Sequence, residues 1–141
     1  MLPYDGNAER REKAMLTDED RALLKGKNFG GLSTMMPDGS PQTTIVWIDT
    51  DGEHVLVNTA EGRVKLNNIE RDPRVALAVY EHDDPYRQLA IRGRVVDITR
   101  EGAEANIDAL AQRYLGTERY PWRSEGEHRI LLKILPEKIV R

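Results

Sequence analysis

The architecture of this chain is set by FGGLSTMMPDGSPQTTIVWIDTDGEHVLVNT, residues 29–59. Two turn signals cut the stretch into three extended segments. Pro37-Asp38-Gly39-Ser40 is turn chemistry, because proline presets one dihedral and glycine takes the left-handed one. Residues 29–36 before it read as a strand. Residues 41–49 after it, rich in threonine, isoleucine, valine and tryptophan, read as the returning strand. A second turn at Asp51-Gly52 leads into a third strand over residues 54–59. Three consecutive strands with short turns predict an antiparallel meander.

Outward from this stretch, strands continue to dominate. Upstream, residues 1–16 read as a charged, flexible arm and residues 17–141 as the folded domain. Thr17 suits a helix N-cap, with Asp18, Glu19 and Asp20 placing negative charge on the first turn. Gly26 is a stop signal, and this helix is expected to plug one end of the structure. Downstream, Val64, Leu66 and Ile69 mark a short helix within residues 62–71, ended by Asp72-Pro73. Val75-Ala76-Leu77-Ala78-Val79 is an almost continuous apolar run, which predicts a strand over residues 74–81 buried on both faces. A polar loop at 82–85 precedes a long strand over residues 87–99, with Gly93 marking a bend. Ile107, Leu110, Ala111 and Tyr114 form one apolar helical face within residues 100–115. A loop with Tyr120, Pro121 and Trp122 leads to a closing strand over residues 128–135. Six strands joined mostly by hairpins are expected to close into a mainly β, antiparallel barrel with accessory helices, because closure removes exposed edges.

Bulk properties narrow the function. A length of 141 residues suits one domain. No apolar run approaches the ~20 residues that span a bilayer, and residues 1–13 lack an apolar signal core, so a cytoplasmic protein without membrane association is expected. There is no cysteine, which removes thiolate nucleophiles and cysteine metal sites. A net charge of −3 argues against a nucleic-acid partner. Any anion site must be a local concentration of positive charge.

Residues 57–68, VNTAEGRVKLNN, offer such a place. A strand ends in small polar residues and a basic helix start follows at once. First-turn amides favour anions. Arg63 adds a planar fork suited to phosphate and Lys65 a point charge. Thr59 can add a hydroxyl. Spacing alone leaves two readings open, a phosphate cradle or a basic turn facing solvent. Other residues carry less. His54, His82 and His128 show no metal-ligand spacing. Asp83 and Asp84 read as a solvated loop tip. Ser33 and Ser124 lack the surroundings of an activated nucleophile.

An ordered series of motifs resembles the flavin/deazaflavin oxidoreductases of the pyridoxamine-phosphate-oxidase-like split-barrel superfamily, over about residues 17–140. The series runs Gly31-Leu32-Ser33-Thr34, Asp38-Gly39-Ser40-Pro41-Gln42, Trp47, Asn58-Thr59, Arg63-x-Lys65-x-x-Asn68, Arg71-Asp72-Pro73-Arg74-Val75, and the late Gly93 strand. The resemblance implies a split β-barrel homodimer with a cofactor at the interface and a small-molecule substrate. It implies Arg63 and Lys65 as phosphate ligands, and Gln42 and Thr44 against the ring or ribityl portion. Val46, Asn58, Thr59 and Asn68 would complete the site. Tyr86 and Arg87 would reach across from the partner chain. The Arg-x-Lys arrangement looks like the branch that uses the deazaflavin F420, with FMN as the alternative. The implied activity is hydride transfer from reduced F420 to an organic acceptor; a non-catalytic F420- or flavin-binding protein shares every binding feature. The sequence stops at Arg141, without the C-terminal arginine segment of pyridoxamine-phosphate oxidation, so that activity is not expected. Tyr80, Tyr86 and His82 are possible helpers, and no catalytic residue is assigned.

Overall fold

Ile48 is the corner on which the barrel turns. The computed structural model describes residues 14–141, in the order α1 (Asp18–Lys25), β1 (Phe29–Met35), β2 (Pro41–Trp47), β3 (Asp49–Thr50), β4 (Val55–Ala60), α2 (Val64–Arg71), β5 (Arg74–Glu81), β6 (Asp84–Thr99), α3 (Ala103–Leu115) and β7 (Arg129–Val140). One curled antiparallel sheet has the strand order β2-β1-β5-β6-β7-β4-β3. β2 and β3 therefore lie at opposite edges, although Ile48 alone separates them in sequence. The Ile48 amide donates to the Tyr114 hydroxyl (3.2 Å), and its carbonyl accepts from Arg113 Nη1 (2.7 Å). α3 thus satisfies the backbone that leaves the ladder. The Ile48 side chain is fully buried. It packs over Gly30, where a Cβ would stand 2.1 Å from Ile48 Cδ1.

This corner splits the strand expected over residues 41–49 and raises the strand count from six to seven. It also corrects the meander. β1 and β2 form the expected hairpin, from Phe29↔Trp47 to Met35↔Pro41. β4 instead pairs with β3 over two residues and with β7 along its length, from Val55↔Ile134 to Ala60↔Arg129. The closing strand runs past Pro136, which a ladder rarely tolerates. Pro136 sits opposite Gly93, where the register shifts and the missing donor costs little. A Cβ on Gly93 would lie 2.2 Å from the Leu135 carbonyl oxygen, so the bend requires glycine.

The expected arm over residues 1–16 lies largely outside the described residues. Its described end belongs to the fold: the Ala14 amide donates to Pro136 O (3.0 Å) and Leu16 is buried in the core. α1 begins with a complete capping box, Thr17 accepting from the Asp20 amide (3.1 Å) and Asp20 from the Thr17 amide (2.9 Å). Leu23 and Leu24 bury its apolar face in the main core, the cluster that also holds Leu32, Ile48, Leu77 and Leu132. Arg141 closes the chain onto the same Asp20 through two bonds (3.0 and 2.6 Å).

The strand over residues 74–81 falls where expected, but its burial does not. β5 alternates, with Val75, Leu77 and Val79 buried and Ala76, Ala78 and Tyr80 exposed. The apolar run reads as continuous because its outer positions carry alanine. They share that face with Gly31 and Ser33 of β1 and Ala90 of β6, all cross-strand neighbours.

Candidate functional site

Where β4 hands over to α2, five of the eight residues named from sequence meet. Val46, Asn58, Thr59, Arg63 and Lys65 line one cavity of about 230 Å³. Ile107 and Leu110 of α3 and Tyr120 and Trp122 of the following loop complete its walls, with Arg129 at the start of β7.

The local electrostatics favour an anion. α1 carries three acids in its first turn and a side-chain cap; α2 has no acid there and no side-chain cap bond at Arg63. The first-turn amides of α2 are left without the partners that helix starts usually recruit. Glu61, the nearest acid in sequence, is turned away into an ion pair with Arg100. Lys65 is half-buried, and its pKa is held below the ordinary lysine value by that burial and by the charges of Arg63 and Arg129. A bound anion would relieve the same repulsion.

Arg129 escaped the sequence reading. Its side chain is only 6% exposed. Its Nε donates to Asn58 Oδ1 (2.9 Å), its Nη1 lies 3.3 Å from Glu127 Oε1, and its guanidinium carbon sits 5.1 Å from the centre of the Tyr120 ring. Only the β4–β7 ladder, which pairs Ala60 with Arg129, brings it here.

Asn58 lines the cavity but its amide is spent. Nδ2 donates to Ala103 O (2.7 Å) and Asn106 Oδ1 (3.0 Å), while Oδ1 accepts from Arg129. Gln42 and Thr44 share a strand face with Val46, four and two residues before it in β2, and do not line the cavity. Asn68 is buried one helical turn beyond Lys65. Its Nδ2 donates to Thr34 Oγ1 (3.0 Å) and its Oδ1 accepts from Arg71 Nη2 (2.8 Å), tying α2 to β1. Tyr80, His82, Tyr86 and Arg87 lie outside the cavity.

An aromatic wall faces the cations. Trp47 stacks on Tyr114 (5.0 Å, 2°) and meets Tyr120 edge-on (6.0 Å, 89°). Trp122 lies on both Trp47 (6.2 Å) and Tyr120 (5.8 Å), yet stays 61% exposed. Asp108 pins this loop, accepting from the Tyr120 amide and from Arg123 Nη2 (2.9 Å each). No carboxylate or imidazole lines the cavity among the described residues. No cluster of metal-ligating side chains occurs among them either.

A larger hollow of about 700 Å³ lies on the outer sheet face, lined by Ser33, Met35, Ala76, Arg92 and Gly93 among others. Size favours it and chemistry does not. Its Arg74 is already bound to Asp72 (2.6 Å), and it has no helix start or aromatic wall.

Comparison with known proteins agrees with this fold. The model of the pyridoxamine 5′-phosphate oxidase family matches residues 16–140. The chain is 33% identical to an F420 reductase of known structure, covering 85% of this chain and 94% of that one, with a TM-score of 0.76. General Stress Protein 26 from Bacillus anthracis shares the fold at 21% identity and a TM-score of 0.64, over 86% of this chain and 89% of that one. HupZ from Group A Streptococcus does so at 20% identity and a TM-score of 0.64, over 89% and 92%.

Proposed function

The chain belongs to the pyridoxamine 5′-phosphate oxidase family, and from that premise we propose that it binds the deazaflavin F420 and uses its reduced form to reduce a small organic acceptor. The observation that carries this reading is the start of α2, without a side-chain cap bond, where Arg63 and Lys65 line one cavity that no acid lines among the described residues. The F420 reductase that is 33% identical to the chain supports F420 over FMN.

The protein's part is binding, orientation and shielding. Arg63, Lys65 and the α2 amides would hold the phosphate. When bound, reduced deazaflavin would supply a hydride for a two-electron reduction. Trp47, Tyr120 and Trp122 give the rest of the cavity wall an aromatic surface.

The cavity of about 230 Å³ is below the ~300–1,000 Å³ of drug-sized ligand sites, so it takes the phosphate end and leaves the ring outside. Ile45 points to where the ring goes. It lines the cavity, is 72% exposed, and pairs with Gly31 on the outer sheet face. That face carries Ala76, Ala78 and Ala90 and adjoins Val140, which is 55% exposed. A second copy of the chain packed there would bury the outer positions of β5 and complete the groove beside Ile45. The working unit is thus a homodimer with the cofactor at its interface.

Fluorescence titration tests the binding step. F420 is expected to bind in the micromolar range or below, and FMN more weakly. Loss of the reduced-cofactor absorbance with quinone, tetrapyrrole or unsaturated carbonyl acceptors tests turnover. Tight FMN binding without F420 binding would move the chain to flavin chemistry. F420 binding without oxidation by any acceptor would leave a cofactor-binding protein.

A further inference from the structure

We propose that Arg129 is a third ligand of the anion, and that Asn58 acts through it as a positioning residue and touches no cofactor atom. The inference rests on the reading of the cavity as the seat of a cofactor's anionic tail, and it names the charge that the tail must carry.

The geometry of Arg129 is that of a built site. A guanidinium that is 6% exposed is costly to bury unless its donors are used. Here Nε is fixed by Asn58 and Nη1 lies against Glu127, while Tyr120 covers the flat face. Those contacts fix the plane of the fork and leave Nη2 uncommitted by any of them. The fork lines the same cavity as Arg63 and Lys65, and its charge contributes to the repulsion felt by Lys65. A purely structural arginine would be expected to have its cations kept apart from others, not gathered with them.

Asn58 explains how the fork stays in place. Its amide is itself held by Ala103 O and Asn106 Oδ1 of α3, and Asn106 donates onward to Asp49 Oδ2 (3.2 Å). The chain of bonds therefore runs from β3 through α3 and β4 to the cavity. With both amide groups spent inward, Asn58 has no donor left for a ligand.

Counting charges gives the ligand class. Arg63, Lys65 and Arg129 carry three positive charges, and Glu127 beside Arg129 offsets one. A net of two suits a phosphomonoester dianion, or a phosphodiester accompanied by a carboxylate, better than a lone phosphodiester. FMN supplies the first and the glutamyl-bearing tail of F420 the second.

The test uses full-length protein, the variants Arg129→Gln and Asn58→Ala, their double variant, and two probes. One probe is F420, followed by fluorescence; the other is inorganic phosphate, followed by its effect on melting temperature. Arg129→Gln is expected to weaken F420 binding by about 10- to 100-fold, the loss of a charge-assisted hydrogen bond, and to abolish the stabilisation by phosphate. Asn58→Ala is expected to weaken F420 by a smaller factor, and to add nothing in the Arg129→Gln background. Phosphate stabilisation of wild-type size in Arg129→Gln overturns the inference, whatever happens to F420. Additive losses in the double variant overturn the positioning role of Asn58. If wild type ignores F420 but gains phosphate stabilisation that depends on Arg129, the cofactor reading fails and the third ligand stands. If wild type responds to neither probe, both fail. Should Arg129→Gln not fold, Asn58→Ala decides: unchanged phosphate stabilisation in it refutes the coupling.

Discussion

Replacing Lys65 with methionine separates a binding lysine from a structural one, because the two roles predict opposite signs. Methionine keeps the apolar stem that packs in the cavity wall and removes only the charge. In the ligand-free protein that charge is unfavourable, since burial and the neighbouring Arg63 and Arg129 oppose it. Lys65→Met is therefore expected to melt at the same temperature as wild type or a few degrees higher. The pH dependence follows from the lowered pKa. Below the folded-state value, Lys65 is charged in both states and the penalty is complete. As pH rises through that value towards the ordinary lysine value, the folded state loses its proton first, the penalty fades, and the advantage of methionine shrinks. Binding moves the other way. A charge-assisted hydrogen bond to phosphate is worth about 1.5–3 kcal/mol, so F420 affinity should fall roughly 10- to 150-fold. Melting curves across the alkaline range, paired with fluorescence titration, give both signs. A variant that melts well below wild type and binds F420 unchanged would refute the reasoning.

Three further outcomes follow from named contacts. Gly93→Ala forces a Cβ to within 2.2 Å of the Leu135 carbonyl oxygen, and should cost about 1–3 kcal/mol in urea unfolding; an unchanged midpoint would mean that the bend relaxes freely. Asp20 lies buried with its pKa lowered: burial opposes the shift, and the bonds from Arg141 and Thr17 outweigh it. Its contribution is present above the ordinary carboxylate range and lost as pH falls through the depressed folded value, so Asp20→Asn should lose about 1–3 kcal/mol at neutral pH and flatten the acid limb of the stability profile. Ala78→Arg, on the exposed side of β5 beside Gly31, should leave a folded monomer by light scattering with weakened F420 binding; a dimer of undiminished affinity would place the interface elsewhere.

Local chemistry was the legible part of the fold. Thr17 with its three following acids marks the α1 start, and Pro37-Asp38-Gly39-Ser40 marks the first hairpin; both follow from contacts within a few residues. Ile48 shows what local reading misses. Nothing near it breaks the β pattern of TTIVWIDT. The backbone leaves the ladder because Tyr114 and Arg113, 66 and 65 residues away, supply the bonds instead. The closing strand, expected to end at residue 135, runs on past Pro136. Proline is a sound stop signal, but the bulge opposite Gly93 removes the need for its donor. The burial expected for both faces of β5 is absent in one chain, and it is the face assigned above to the second copy.

The candidate site divides along the same line. Arg63 and Lys65 were readable because a strand end, a short turn and a helix start bring them together within a few residues. Asn68 sits three positions on, about 4.5 Å further along the helix axis, and that step takes it out of the cavity and into the contact with Thr34. Arg129 was invisible for the converse reason: 71 residues separate it from Asn58, and only the ladder between β4 and β7 joins them. The charges set this place apart from the rest of the described chain. At several other places in the described residues charge meets opposite charge: α1 has acids at its start, Asp20 has Arg141, Asp72 has Arg74, and Glu61 has Arg100. At the start of α2 the pattern reverses, and positive side chains gather where the helix end is already positive. A chain with a net charge of −3 has acids available to place there. Leaving that spot electropositive costs local stability, and the anion of the proposed reading would return it.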